Sequence, residues 1–118
     1  MTMANQEVNI YCKLVYKCGN QIIYTNHKKN YLFYTSMTIS EMVNTLITRG
    51  YEDFSISSNY NIEIVKVGQI MNNNQCAESA IAIDIQNDDN INQTIYEYYN
   101  NELANLAFYI RVIIPVSA

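Results

Sequence analysis

From Val8 onward the chain alternates. Val8, Ile10, Cys12, Leu14 and Tyr16 fall on one phase, and Asn9, Tyr11, Lys13, Val15 and Lys17 on the other. A period of two with one apolar phase is the mark of a half-buried strand. "CGN" at 18–20 supplies residues tolerant of positive φ, so a hairpin turn is expected there. Two runs rich in β-branched and aromatic residues follow, "QIIYT" and "YLFYT", with "NHKKN" between them. They read as one long strand carrying a bulge or as two strands of a meander, and the single interrupted strand is the preferred reading. Before Val8, residues 1–7 read as a short, polar, flexible start.

The period changes in "SMTISEMVNTLITRGY", residues 36–51. Thr38 followed by Glu41 fits a capping box, in which each side chain satisfies a backbone N–H at the start of a helix. Ile39, Met42, Val43, Leu46 and Ile47 then fall at i, i+3, i+4, i+7 and i+8, one apolar stripe. Arg49 suits the negative end of the helix dipole, and Gly50 reads as a left-handed terminator. A helix is expected over about 38–49.

Beyond it, "YEDFSISSNY" is a polar connection and "NIEIVKV" (61–67) alternates again as a strand. Gly68 to Ser79 reads as a long loop, "AIAIDI" (80–85) as a strand and "QNDDNINQ" as a further loop. Thr94 and Glu97 repeat the capping pattern ahead of a short helical turn, and "LAFYIRVIIPV" (106–116) is a strongly apolar strand. The order is strand, strand, helix, strand, strand, short turn, strand. A lone helix has one stripe to bury, and a mixed sheet of four or five strands has a face to offer it. The expected fold class is α+β, a single domain over 8–118 with the helix packed on one face of the sheet.

Two segments carry a family resemblance. "YTSMTISEMVNTL" resembles the passage from second strand into a threonine-capped helix in the ubiquitin-like β-grasp superfamily. "TIYEYYNNELANLAFYIRVI" resembles the short polar, tyrosine-bearing turn before that family's last strand. The resemblance covers about residues 8–116 in pattern and implies that the last strand inserts beside the first. Members that become conjugated finish in Gly-Gly, whereas this chain finishes "IIPVSA", so a non-conjugated member is expected. A ferredoxin-like or other α+β sandwich is the alternative fold.

Composition narrows the function classes. The formal net charge of −4 argues against a sequence-independent grip on phosphate backbones, and His27-Lys28-Lys29 is the one tight basic cluster. No apolar run is long enough to cross a bilayer, and "MTMANQEVNIY" does not have the form of a signal peptide. Three cysteines, an odd number, suit reduced thiols in a cytosol-like compartment. On that reading the sequon Asn92-Gln93-Thr94 is a chance match. Asparagine, isoleucine and tyrosine are abundant, as an AT-rich coding sequence (virus, protist or bacterium) would produce.

Candidate chemistry is sparse. His27 is the single histidine and sits among polar turn residues. Cys12, Cys18 and Cys76 form no CxxC pair, and the apolar phase of Cys12 predicts a buried thiol. Asp84, Asp88 and Asp89 faintly resemble a calcium loop, but Asp89 stands where such a loop needs glycine and Ile95 where it needs glutamate. Glycine-rich phosphate cradles are absent. No catalytic, cofactor-binding or metal residue is expected, and the chain does not read as an enzyme.

Eleven tyrosines against three phenylalanines and no tryptophan point elsewhere. Tyrosine joins a large apolar ring to a polar tip and suits half-exposed recognition surfaces. On the second phase of the first strand lie Tyr11, Lys13 and Val15, and on the matching phase of the last strand lie Tyr109, Arg111 and Ile113. If these strands are neighbours, the six form one patch on the open face of the sheet, fit to bind a protein. The expected function is therefore a non-catalytic protein–protein interaction module, acting through that face or an edge strand. It binds a protein partner or a second copy of itself, with no nucleic acid and no membrane, in the cytoplasm. The alternatives are a self-assembling structural subunit, such as a virion or filament component, and a small ligand-binding or hydrolytic domain.

Overall fold

The structure, a computed structural model, describes residues 5–72, 75–82, 89–99 and 106–115, with backbone alone over 67–82. In chain order its elements are β1 Glu7–Cys18, β2 Gln21–Tyr34, α1 Ile39–Asp53, β3 Asn61–Asn72, β4 Gln75–Ala82, α2 Ile95–Tyr99 and β5 Leu106–Ile114. That is the order the patterning predicts. The five strands form one sheet, β2-β1-β5-β3-β4. β1 and β5 lie side by side and parallel, Ile10 opposite Leu106 through Cys18 opposite Ile114. Every other pairing is antiparallel. The last strand thus sits beside the first, as the β-grasp resemblance implies.

α1 lies across β3 and β5 and covers one face. Its Ile39, Met42, Val43 and Leu46 meet Ile10, Cys12 and Leu14 of β1, Ile62 and Ile64 of β3, and Phe108, Ile110 and Val112 of β5. The helix start keeps the threonine half of the expected capping box, while the Glu41 carboxylate takes the Thr38 hydroxyl in place of a backbone N–H. The Glu41 N–H donates to Thr38 Oγ1 at 3.1 Å, and the Thr38 hydroxyl donates to Glu41 Oε1 at 3.2 Å. The first free amides of α1 find partners in a distant loop, Ile39 donating to the carbonyl of Gln93 and Ser40 to that of Ile91, both at 2.9 Å. The same threonine cap, Thr94 with Glu97, opens α2, and Thr38 and Thr94 are joined as a bridge pair. Two helix starts are stitched together.

The far end of α1 departs from expectation. Gly50 is not its terminator: the helix runs on to Asp53, and its last turn carries no basic residue for the dipole. Gly50 is buried against the sheet, where an added Cβ would stand 2.9 Å from Ile110 Cγ2 and 3.2 Å from Ile62 Cδ1. Glycine is there for close approach. The left-handed position belongs to Ser55, at φ 54°, and the Ile56 N–H donates back to the Tyr51 carbonyl at 3.1 Å. Tyr31 of β2 donates its hydroxyl to Asp53 Oδ2 at 2.7 Å, and Lys29 Nζ stands 3.8 Å from Asp53 Oδ1, tying the edge of the sheet to the end of the helix. Burial and that bond to a carboxylate hold the Tyr31 phenol above its usual range.

β2 is a single strand interrupted by a bulge. Lys13 faces Lys28 and Val15 faces Tyr24, so Leu14 spans residues 25–27. Thr25 repairs the broken ladder: its hydroxyl donates to the Leu14 carbonyl at 2.7 Å and accepts from His27 N–H at 3.1 Å. The loop expected over 68–79 is instead a hairpin. β3 continues to Asn72, β4 starts at Gln75, and pairing runs from Val65 with Ala82 to Asn72 with Gln75. Asparagine and glutamine weaken the apolar alternation there, but ladder bonds are made by the backbone and do not need it. Residues 83–85 of the expected strand and 86–88 of the next loop lie outside the described residues, as do 1–4 of the expected flexible start. Its residues 5 and 6 are tied down: Thr35 N–H donates to the Gln6 carbonyl, Gln6 N–H to Thr35 Oγ1, and Ser36 N–H to Asn5 Oδ1.

Candidate protein-interaction face

The face of the sheet opposite α1 is laid out by register. Residues paired across adjacent strands share a face, and every second residue along a strand returns to it. One row holds Asn30, Tyr11 and Ala107; the next Lys28, Lys13, Tyr109 and Val65; the next Tyr24, Val15, Arg111 and Glu63; and the last Ile22, Lys17, Ile113 and Asn61. All six residues singled out from sequence, Tyr11, Lys13, Val15, Tyr109, Arg111 and Ile113, therefore lie on this face of two adjoining strands.

They do not all offer surface. Val15 is fully buried and Tyr109 is 5% exposed, because with Val65 they form a small second core against which Ile22 packs. The Tyr109 ring meets the edge of Tyr24 at 6.0 Å. Arg111 is also committed: its guanidinium donates from Nε to Glu63 Oε2 at 3.2 Å and is ion-paired with it through Nη2. Val15 and Tyr109 are corrected from contact residues to the support beneath the face. β2 and β3 flank β1 and β5 and bring Tyr24 and Val65 over them, a closure that alternation within two strands does not register.

What remains exposed includes large aromatic and aliphatic side chains and Lys28, among the polar Glu7, Asn9, Asn30, Asn61 and Glu63. Tyr11, Tyr24, Leu32 and Tyr34 are 37%, 50%, 50% and 41% exposed, the last two opposite Asn9 and Glu7 on the same face. Lys13 Nζ lies 5.9 Å from the centre of the Tyr24 ring, within cation–π reach. Tyr24, Leu32, Tyr34 and Lys28 were not among the sequence candidates. Both phases of β2 are apolar, Ile22 beside Ile23 and Tyr31-Leu32-Phe33-Tyr34 in a row, so alternation could not assign its faces. Their even numbering from 22 to 34 was a usable signal once the hairpin turn fixed the first pair, Cys18 with Gln21.

The other chemical candidates are scattered. Cys12 is a free thiol in the helix-side core, where burial pushes its pKa up to about 12, and Cys18 is free and exposed. His27 is exposed in the bulge. Asp89 is exposed, whereas Asp84 and Asp88 lie outside the described residues. Among the described residues no group of three or more His, Cys, Asp or Glu gathers to hold a metal, and no helix is long and apolar enough to cross a membrane.

No family model matches the chain, and no curated protein matches it in sequence. Among solved structures it is similar to the C-terminal ubiquitin-like domain of mouse tubulin-specific chaperone e, with a TM-score of 0.50 and 15% identity over 99% of this chain and 97% of that one. At that identity the likeness is one of architecture. With the β1–β5 parallel pair at the centre of the sheet and α1 across one face, the chain has the ubiquitin-like fold.

Proposed function

We propose that the chain is a non-catalytic protein–protein interaction module that binds its partner through the sheet face opposite α1. One observation carries this reading: Tyr11, Leu32 and Tyr34 stand together at one corner of that face, each more than a third exposed, with Tyr24 half-exposed beyond them. Large rings and a leucine left in water on a hydrogen-bonded sheet are the composition of a contact surface. In this reading Tyr11, Lys13 and Ile113 touch the partner, as the sequence suggested, and β2 adds Tyr24, Leu32 and Tyr34. Val15 and Tyr109 pack beneath that surface, and Arg111 is held by Glu63. A reducing, cytosol-like compartment suits the free thiols of Cys12 and Cys18.

The test is affinity capture from the native cell with three forms of the chain: unaltered, Tyr11→Ala with Leu32→Asp, and Asn44→Ala on the exposed side of α1. The reading expects a partner that the double variant loses and the helix variant keeps. Equal capture by all three forms would remove the face from consideration.

A second reading, self-assembly, is favoured by β2 and β4 both ending the sheet, with no strand beyond either among the described residues. The bulge at 25–27 and the exposed Lys28 and Lys29 on β2 work against it, since they roughen one of those edges. Light scattering across a concentration series separates the readings: growth in mass with concentration favours assembly.

A further inference from the structure

Charge is distributed unevenly over this molecule. The chain carries seven Lys and Arg against eleven Asp and Glu, yet Lys13, Lys17, Lys28 and Arg111 all sit on the open face. Among the described residues the carboxylates whose register places them on it are Glu7, at its far end, Glu63, which Arg111 already engages, and Glu78 of β4, opposite Gln69 and separated from β1 by two strands. No ion pair is formed by Lys13, Lys17 or Lys28 among the described residues. Lys13 and Lys28 stand directly opposite each other, an arrangement that costs stability in a free antiparallel pair. An anion between them relieves that repulsion.

The spacing says what kind of anion. Lys17 is four residues beyond Lys13 on the same strand and face, hence ~13 Å away. Between them lies the row of Tyr24 and Val15, with the Tyr24 ring half-exposed, and Ile22 and Ile113 flank Lys17. The pattern is cation pair, aromatic ring, cation in an apolar setting. An extended chain repeats its side-chain direction every two residues, so acidic side chains at its first and fifth positions would span the same ~13 Å, with the third over the ring.

Resting on the interaction reading above, we propose that the Lys13–Lys28 pair, Tyr24 and Lys17 form a docking track for an extended acidic segment of a partner protein. That segment carries an apolar residue midway between two carboxylates four positions apart. Three lysines on a chain of net charge −4 match two or three carboxylates; a nucleic acid would bring a longer run of phosphates against an overall negative body. A bare phosphate would leave the ring between the cations uncovered.

The test titrates the full chain with a synthetic extended peptide bearing aspartates at its first and fifth positions and leucine at its third. Amide chemical shifts report the contact site. The expected result is salt-sensitive binding that moves the resonances of Lys13, Lys17, Tyr24 and Lys28. Lys13→Gln with Lys28→Gln should weaken it about tenfold or more. Leucine replaced by alanine in the peptide, or aspartates moved to adjacent positions, should weaken it as well. Thermal melting of the free Lys28→Gln chain, expected at or slightly above that of the unaltered chain, shows the fold intact. Absence of binding, equal binding of the rearranged peptide, or tighter binding of a single-stranded oligonucleotide would each overturn the proposal. Capture through Tyr11 and Leu32 could still succeed in those cases, so the two readings fail separately.

Discussion

The two faces of the sheet are built from the same strands and hold opposite kinds of core. Under α1, Ile10, Leu14, Leu46, Phe108 and Ile110 are sealed from water, and the helix backbone comes close enough at Gly50 to exclude a methyl group. On the other face three residues, Val15, Val65 and Tyr109, form a small buried cluster with Ile22 against it, and among the described residues no helix packs over them. The first face derives its burial from tertiary packing of a helix. The second derives it from cross-strand contacts, roofed by Tyr24 and the Arg111–Glu63 pair. The difference shows how a two-layer fold divides its labour: one face carries the stability, and the other is stiff enough to present side chains that remain in water.

The largest expected effect tests that division. Phe108→Ala, on the helix side, should cost about 3–5 kcal/mol in denaturant unfolding, while Tyr109→Ala, its neighbour on the opposite face, should cost about 2 kcal/mol, since water refills an open site more readily than a sealed one. Equal losses would mean that the small cluster is as much a core as the large one.

Cys12 sharpens the same contrast through pH. Its folded pKa of about 12 lies above that of an exposed thiol, so the folded chain holds the proton more tightly than the unfolded chain. The contribution is complete below about pH 8.5 and is lost as pH climbs toward the folded value, at a slope approaching about 1.4 kcal/mol per unit. Cys12→Ala should flatten that alkaline limb in unfolding curves measured from pH 8 to 11. Mass-spectrometric mapping after mild alkylation of the native chain should find Cys18 modified and Cys12 protected.

Gly50→Ala sets helix propensity against packing. The substitution gains about 1 kcal/mol of intrinsic propensity, but its methyl lies 2.9 Å from the branched and fully buried Ile110. A net loss of about 1 kcal/mol is expected. A gain would show that the helix and sheet can move apart freely. The smallest effect is at the helix end, where Ser55→Gly should stabilise by about 0.5–1 kcal/mol by removing the cost of a side chain at φ 54°. Thermal melting read at that precision is sufficient to see it.

The legible part of this fold is the part written in local chemistry. Thr38 and Thr94 cap the N–H of Glu41 and Glu97 as their spacing announces, though each glutamate takes the threonine hydroxyl and not a backbone N–H, and Ile39, Met42, Val43 and Leu46 bury the stripe they mark. Alternation in β1 sorted Ile10, Cys12 and Leu14 onto the helix side correctly. The candidate face was only half legible. Tyr11, Lys13 and Arg111 were placed on it, but the burial of Val15 and Tyr109 depends on what β2 and β3 bring over them. Tyr24, Leu32 and Tyr34 were hidden because β2 has apolar residues on both phases. Gly50 misled because a glycine near the end of an apolar stripe serves equally as a stop or as a point of close contact.

Capping hydroxyls, strand phase and the helical stripe act within a few residues, so the sequence by itself determined where these elements begin and which side of each is oily. Neighbourhood was decided only in three dimensions: β5 beside β1, the β3–β4 hairpin, and the lysines of β1 and β2 brought opposite one another. Those pairings join residues tens of positions apart, and their energies depend on both partners at once. No local window contains them.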